Sequence, residues 1–171
     1  MKANIVKFNV HYLNDEMPRL EYVNGNSDWI DLRAVQVTVF HSDSTTTTYS
    51  NAGDIVKYKA GDVVKVNFGV SIHMQDTETG VKYKANCYPR SSLFTKTGLF
   101  LTNHVGCIDY SYRGTNDWWM GQFLAMKEGE FAIYDRLIQF DIKPIEPRLV
   151  FNEVAEHDAK DRGGYGTSNM K

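Results

Sequence analysis

Cysteine is scarce in this chain. Cys87 and Cys107 are the only two in 171 residues. Two thiols form neither a disulfide framework nor a metal-ligand pattern, so each is expected to be a small buried apolar side chain. Net charge is nearly absent as well. Nineteen Lys and Arg face 21 Asp and Glu, which leaves −2 with His neutral. No basic field speaks for a nucleic-acid polymer as partner, and there is no acidic tail. Long apolar runs are missing, so no segment suits a bilayer. Met1 to Val10 alternates polar and apolar and lacks the apolar block of a signal peptide. These absences predict a soluble protein of a reducing, cytoplasmic compartment. No long stretch carries a helical period.

What the chain does have is short-period alternation. With 42% hydrophobic residues, one compact domain with a real core is expected. Val6 to Tyr12 and Ala34 to Phe40 alternate as half-buried strands do. Asp62 to Val70 reads as one strand introduced by the turn Ala60-Gly61-Asp62. Lys82 to Tyr88, Trp119 to Met126 and Phe131 to Ile142 complete the set. Such spacing predicts an all-β sandwich or jelly roll. Trp118, Trp119, Phe123 and Phe131 suit either a core or a subunit interface and are read first as core. The Ser- and Thr-rich stretch His41 to Asn51 predicts an extended hairpin. Met74 to Gly80 reads as a polar surface turn. From Pro147 onward the chain turns polar and irregular, then glycine-rich at Gly163, Gly164 and Gly166.

Two stretches carry the chemistry. Pro89-Arg90-Ser91-Ser92-Leu93-Phe94-Thr95-Lys96 offers a planar cation and two hydroxyls, donors suited to phosphate oxygens. Gly106-Cys107-Ile108-Asp109-Tyr110-Ser111-Tyr112-Arg113-Gly114 offers a carboxylate base and, three residues later, a flat ring. Together they suggest phosphoester chemistry on a nucleotide.

Three further stretches extend the pattern. Ser27-Asp28-Trp29-Ile30-Asp31-Leu32-Arg33-Ala34 is close to S-A-G-Y-D-L-x-A. Asp135-Arg136-Leu137-Ile138-Gln139-Phe140 is close to D-R-I-A-Q-L. Asp161-Arg162-Gly163-Gly164-Tyr165-Gly166-Thr167-Ser168 is a shortened R-G-x-G-G-F-G-S-T. Five motifs in this order resemble the trimeric dUTPases. The resemblance implies a dUTPase-like β-sandwich of the β-clip type over residues 1–147. It implies a flexible C-terminal arm over 148–171 that closes over a neighbouring subunit's site.

The same resemblance implies roles. The activity is dUTP hydrolysis to dUMP and pyrophosphate, by water attacking the α-phosphorus. Asp109 is the general base, since a carboxylate ionised at neutral pH orients and deprotonates water; read alone, it would be a turn residue. Tyr112 stacks on the deoxyribose and excludes a 2′-hydroxyl; read alone, it would be a cross-strand packing residue. Uracil is read by backbone groups of a hairpin from Asn103 through Gly106 to Ile108, with the Asn103 side chain contributing. Arg90, Ser91, Ser92 and Gln139 contact phosphates. Ser92 stands where the family usually has Gly. Asp31 and Arg136 form a structural pair near the site. Arg162, Thr167 and Ser168 grip the outer phosphates and Tyr165 covers the base. Mg²⁺ is the implied cofactor, held mainly by substrate phosphates with no direct protein ligand and Asp31 reaching it through water. The implied assembly is a homotrimer.

Two other readings compete. The dCTP deaminases share the fold and the Arg-Ser-Ser stretch, but they need a glutamate after the third motif. Thr115 to Ala125 contains none. A dUTP-binding regulator on the same fold would contact a partner through His41 to Asn51.

Overall fold

The computed structural model describes residues 5–25 and 27–161. Among them the strands are Asn9–Tyr12 (β1), Ile30–Arg33 (β2), Gln36–Phe40 (β3), Thr46–Tyr49 (β4), Ile55–Tyr58 (β5), Val63–Asn67 (β6) and Val70–His73 (β7). Then follow Tyr83–Pro89 (β8), Leu99–Leu101 (β9), Gly106–Ile108 (β10), Met120–Ala125 (β11), Gly129–Ala132 (β12) and Arg136–Pro144 (β13). A short 3-10 turn spans Val23–Gly25, and one short α-helix, Leu93–Thr97 (α1), sits between β8 and β9. Among the described residues no helix is long and apolar enough to cross a membrane.

All pairings are antiparallel. A five-stranded sheet runs β4-β3-β6-β11-β9 and a four-stranded sheet runs β10-β8-β13-β2. Two ribbons, β1-β7 and β12-β5, complete the layers. Alternation produces the core: Val37 and Val39 point inward from β3, Val64 and Val66 from β6, and Phe123 from β11. Burying such a side chain contributes about 1.5–3 kcal/mol. Trp119, Phe123 and Phe131 are core, as expected.

Two expected long strands are each broken in two. Asp62 to Val70 divides at Phe68-Gly69, so that β6 and β7 enter different sheets. Gly69 has φ +67, and a Cβ there would meet Val35 Cγ2 at 2.8 Å. The Asn67 side-chain oxygen accepts the Gly69 N–H at 2.8 Å and fixes the bend. Phe131 to Ile142 divides at Tyr134, whose φ is 73. There Asp135 accepts the Ala132 N–H at 2.9 Å. Hydrophobic alternation continues through both bends, which is why it concealed them.

The Ser- and Thr-rich stretch forms the expected hairpin, with Phe40 opposite Thr46 and Val37 opposite Tyr49. It is clasped to the body at its turn. Asp62, 1% exposed, holds His41 Nδ1 at 2.8 Å and accepts the Ser42 N–H at 3.2 Å. The Met74 to Gly80 turn is not surface decoration. Met74 is fully buried and Asp76 nearly so. The Asp76 carboxylate accepts from the N–H of Lys7 at 3.2 Å and of Thr79 at 3.2 Å. Beyond β13 the chain from Ile145 to Asp161 is exposed and lacks regular structure.

Candidate active site

The four-stranded sheet places polar motifs at its two ends. At one end β8, β13 and β2 bring the second, fourth and first motifs into register. Gln139 lies opposite Tyr88 on one side and opposite Asp31 on the other. Arg90 follows directly on β8. Asp31, 9% exposed, is held by Arg90 Nε at 3.2 Å and by Arg136 at 3.3 Å. Arg90 also donates to the Arg136 carbonyl at 3.1 Å. The shift in register between Arg136 and Ile138 is a bulge, which re-aims side chains at the start of β13. Two guanidiniums on one carboxylate leave one net positive charge, already oriented. A cleft of about 270 Å³ beside them is lined by Arg90, Ser92, Lys96 and Arg136 together with Glu130 and Asp135. Ser91 is exposed and Ser92 half-buried at the start of α1.

At the other end β10 is the edge strand of the same sheet, so the backbone groups along its outer side are left unpaired by the sheet. Gly106 pairs with Cys87, and a Cβ on Gly106 would approach Cys87 Cβ to 3.2 Å. After Ile108 the chain turns, with Tyr112 N–H donating to the Asp109 carbonyl at 3.0 Å. The Tyr112 hydroxyl donates to the Trp118 carbonyl at 2.9 Å. Burial, and then the nearby Asp117 carboxylate, push its phenol above the usual range. Asp117 accepts the Gly114 N–H at 2.6 Å, and Ser71 donates to the Gly114 carbonyl at 2.5 Å. A cleft of about 400 Å³ opens here, lined by Asp109, Tyr112, Ile108 and Cys107 with Ser111, Trp118 and Met120.

Several expectations change. Cys87 is buried but Cys107 is exposed, because alternation along β10 turns it towards the cleft. Trp118 is not core: it is half-buried in the cleft wall and packs on His11 at 5.2 Å. Its neighbour Trp119 points inward, so period two was the signal that separates them. The stretch Asn103 to Ile108 is not a hairpin. Strand β9 pairs with β11 and β10 pairs with β8, so the turn at Asn103 and His104 passes between sheets. Asn103 is exposed there. Met120 and Asp117 had no motif to announce them. Arg162, Tyr165, Thr167 and Ser168 lie outside the described residues.

The two ends do not meet within one chain. Ile108 pairs with Ala85, and Arg90 lies five residues further along β8. At the rise of an antiparallel strand this separates Arg90 from the Asp109 end by about 17 Å.

Comparison with known proteins bears on both ends at once. No family model matches the chain. The SPbeta prophage-derived deoxyuridine 5'-triphosphate nucleotidohydrolase YosS of Bacillus subtilis is 29% identical over 166 residues, 97% of this chain and 100% of the relative. The chain is similar to this dUTPase over nearly its whole length. A second relative, the deoxyuridine 5'-triphosphate nucleotidohydrolase of Hydrogenobaculum, is 29% identical over 69% of this chain and 78% of its own. The fold agrees with solved dUTPases. That of Streptococcus mutans gives a TM-score of 0.56 at 22% identity over 84% of this chain and 98% of its own. That of Staphylococcus bacteriophage 80alpha, solved with dUpNHpp, gives 0.62 at 13% identity over 96% and 99%. Among dUTPases, a structure from phage phi11 of S. aureus is described as coordinating a structural Mg(II) ion. In the present chain no group of three or more His, Cys, Asp or Glu side chains comes together among the described residues. Both Asp31 oxygens already face guanidiniums. Such a donor set fits an ion carried on phosphate oxygens rather than one seated on the protein.

Proposed function

We propose that this protein hydrolyses dUTP to dUMP and pyrophosphate, with Asp109 as general base. Asp109 takes a proton from water, the water oxygen attacks the α-phosphorus, and the bond from that phosphorus to the bridging oxygen breaks. Pyrophosphate leaves with the electron pair. The observation that carries this reading is the cleft that combines the Asp109 carboxylate with the Tyr112 and Trp118 rings. Its volume of about 400 Å³ suits a nucleoside. Tyr112, tied to the Trp118 carbonyl, closes the space a 2′-hydroxyl needs. The free outer edge of β10, from Gly106 to Ile108, offers backbone donors and acceptors to one pyrimidine edge, and a mismatched base leaves them unpaired.

Arg90 and Gln139, with Ser91 and Ser92, hold the phosphates at the opposite end of the sheet. The roughly 17 Å between the ends supports a site assembled from different subunits, in a closed homotrimer. The arm over 148–171 closes that site, with Arg162, Thr167 and Ser168 on the outer phosphates and Tyr165 over the base. When bound, Mg²⁺ on the triphosphate neutralises charge that Arg90 alone does not offset, and Asp31 faces it through water. The test is pyrophosphate release with Mg²⁺ from dUTP, dCTP, dTTP and UTP. Release from dUTP with UTP spared is expected. Tight dUTP binding without any release would overturn the reading, and ammonia from dCTP would favour deamination.

A further inference from the structure

The Asp109 side chain is exposed and has no hydrogen-bond partner among the described residues. A general base must nevertheless stand within hydrogen-bond reach of the proton it takes, and a misplacement of about 1 Å costs about 10²-fold in rate. Without a side-chain partner, the aim of this carboxylate is set by its own backbone.

Tyr110, next in the chain, is where that backbone is fastened. Its ring turns onto the β1-β7 ribbon. The Tyr110 hydroxyl donates to the Gln75 side-chain oxygen at 2.8 Å, and His73 Nε2 lies 3.4 Å from the hydroxyl oxygen. Gln75 stands just past β7 and bridges to Lys82, so the acceptor itself sits on paired backbone. The Arg113 guanidinium lies 4.3 Å from the Tyr110 ring centroid and the Lys82 ammonium 5.0 Å from it, both attracted by the ring.

The same ribbon holds the far end of the loop. Ser71, two residues before His73 and so on the same face of β7, donates to the Gly114 carbonyl at 2.5 Å. Opposite Ser71 in register, His11 of β1 packs on Trp118, whose carbonyl accepts from Tyr112. The loop that carries Asp109 and Tyr112 is thus laid on the ribbon at both ends, and the tether that adjoins the carboxylate is Tyr110.

We infer that Tyr110 is a positioning residue for Asp109. Its hydroxyl, held by Gln75, fixes the backbone from which the Asp109 carboxylate reaches the attacking water. The inference rests on the proposed hydrolysis with Asp109 as base.

The test is steady-state turnover of dUTP with Mg²⁺ by the full-length protein. Tyr110→Phe removes the hydroxyl and keeps the ring and its cations. Its kcat should fall about 10–100-fold, with KM and melting temperature nearly unchanged. Gln75→Leu should reproduce that loss from the other side, and the two together should cost no more than either alone. In an Asp109→Asn background Tyr110→Phe should cost nothing further, because no base is left to aim. Wild-type kcat in Tyr110→Phe, a lowered melting temperature with kcat intact, additive losses with Gln75→Leu, or an undiminished loss in the Asp109→Asn background each overturns the inference and leaves the hydrolysis standing. No pyrophosphate from the wild-type protein overturns the hydrolysis, and this inference with it. Where Tyr110→Phe does not fold, Gln75→Leu carries the same comparison alone and in the Asp109→Asn background.

Discussion

At one end of the four-stranded sheet, Arg90 and Arg136 are locked onto the 9%-exposed Asp31 carboxylate. At the other, Tyr112 is 39% exposed, and the Asp109 side chain has no hydrogen-bond partner among the described residues. The first end is finished within the chain. Its cations are oriented by charge-assisted bonds before any ligand arrives. The second is an open wall. Preorganised charge at one end and an open cleft at the other teach that one sheet can carry a finished and an unfinished surface.

Changing Asp109 to Asn tests the open end most severely. Turnover of dUTP should fall about 10²–10⁴-fold, while calorimetry still detects binding of a non-hydrolysable dUTP analogue. Folding the two defective proteins together sharpens the comparison. If Asp109 and Arg90 act from different subunits, an equal mixture of Asp109→Asn and Arg90→Ala chains recovers activity. Random assembly places both intact groups in roughly a quarter of sites. Absence of recovery would put both ends of one site on a single chain.

The adjacent tryptophans separate cleft from core. Trp119→Ala should destabilise the fold by about 3–5 kcal/mol in urea unfolding. Trp118→Ala should leave the midpoint nearly unmoved and raise KM for dUTP instead. A matching loss of stability at both positions would mean that Trp118 is structural.

The smallest effect concerns acid. The Thr79 hydroxyl, and then the Lys7 N–H, hold the Asp76 carboxyl below its usual range of 3.8. A depressed folded value stabilises the protein above the unfolded value, and the gain is lost as pH falls through the folded one. The melting temperature should therefore be insensitive to this group from pH 7 to about pH 5 and decline below about pH 4. Asp76→Asn should start lower and decline less steeply.

Alternation made most strands legible, and local side-chain chemistry decided where they ended. The pattern from Asp62 to Val70 continues through Gly69, yet the close approach of Val35 and Met17 leaves room there only for glycine. The Asp31–Arg136 contact was expected from family resemblance. That Arg90 shares the same carboxylate follows from strand register, which one sequence does not display. Trp118 departs from the core reading because successive residues of the extended segment leading into β11 face opposite ways: Trp119 is buried and Trp118 only half-buried. The distance between the two ends was hidden because Arg90 and Asp109 are near in sequence but are carried to opposite ends of β8.

The His41 clasp on Asp62 also bears on how this protein can be altered. Because Asp62 fastens the turn through His41 and the Ser42 N–H, the exposed tip at Asp43 and Ser44 can be extended without disturbing the strands beneath. Loop tips that carry no packing are where proteins accept foreign sequence. An epitope or a fluorophore acceptor peptide grafted there would report on the protein from outside, with both clefts left open.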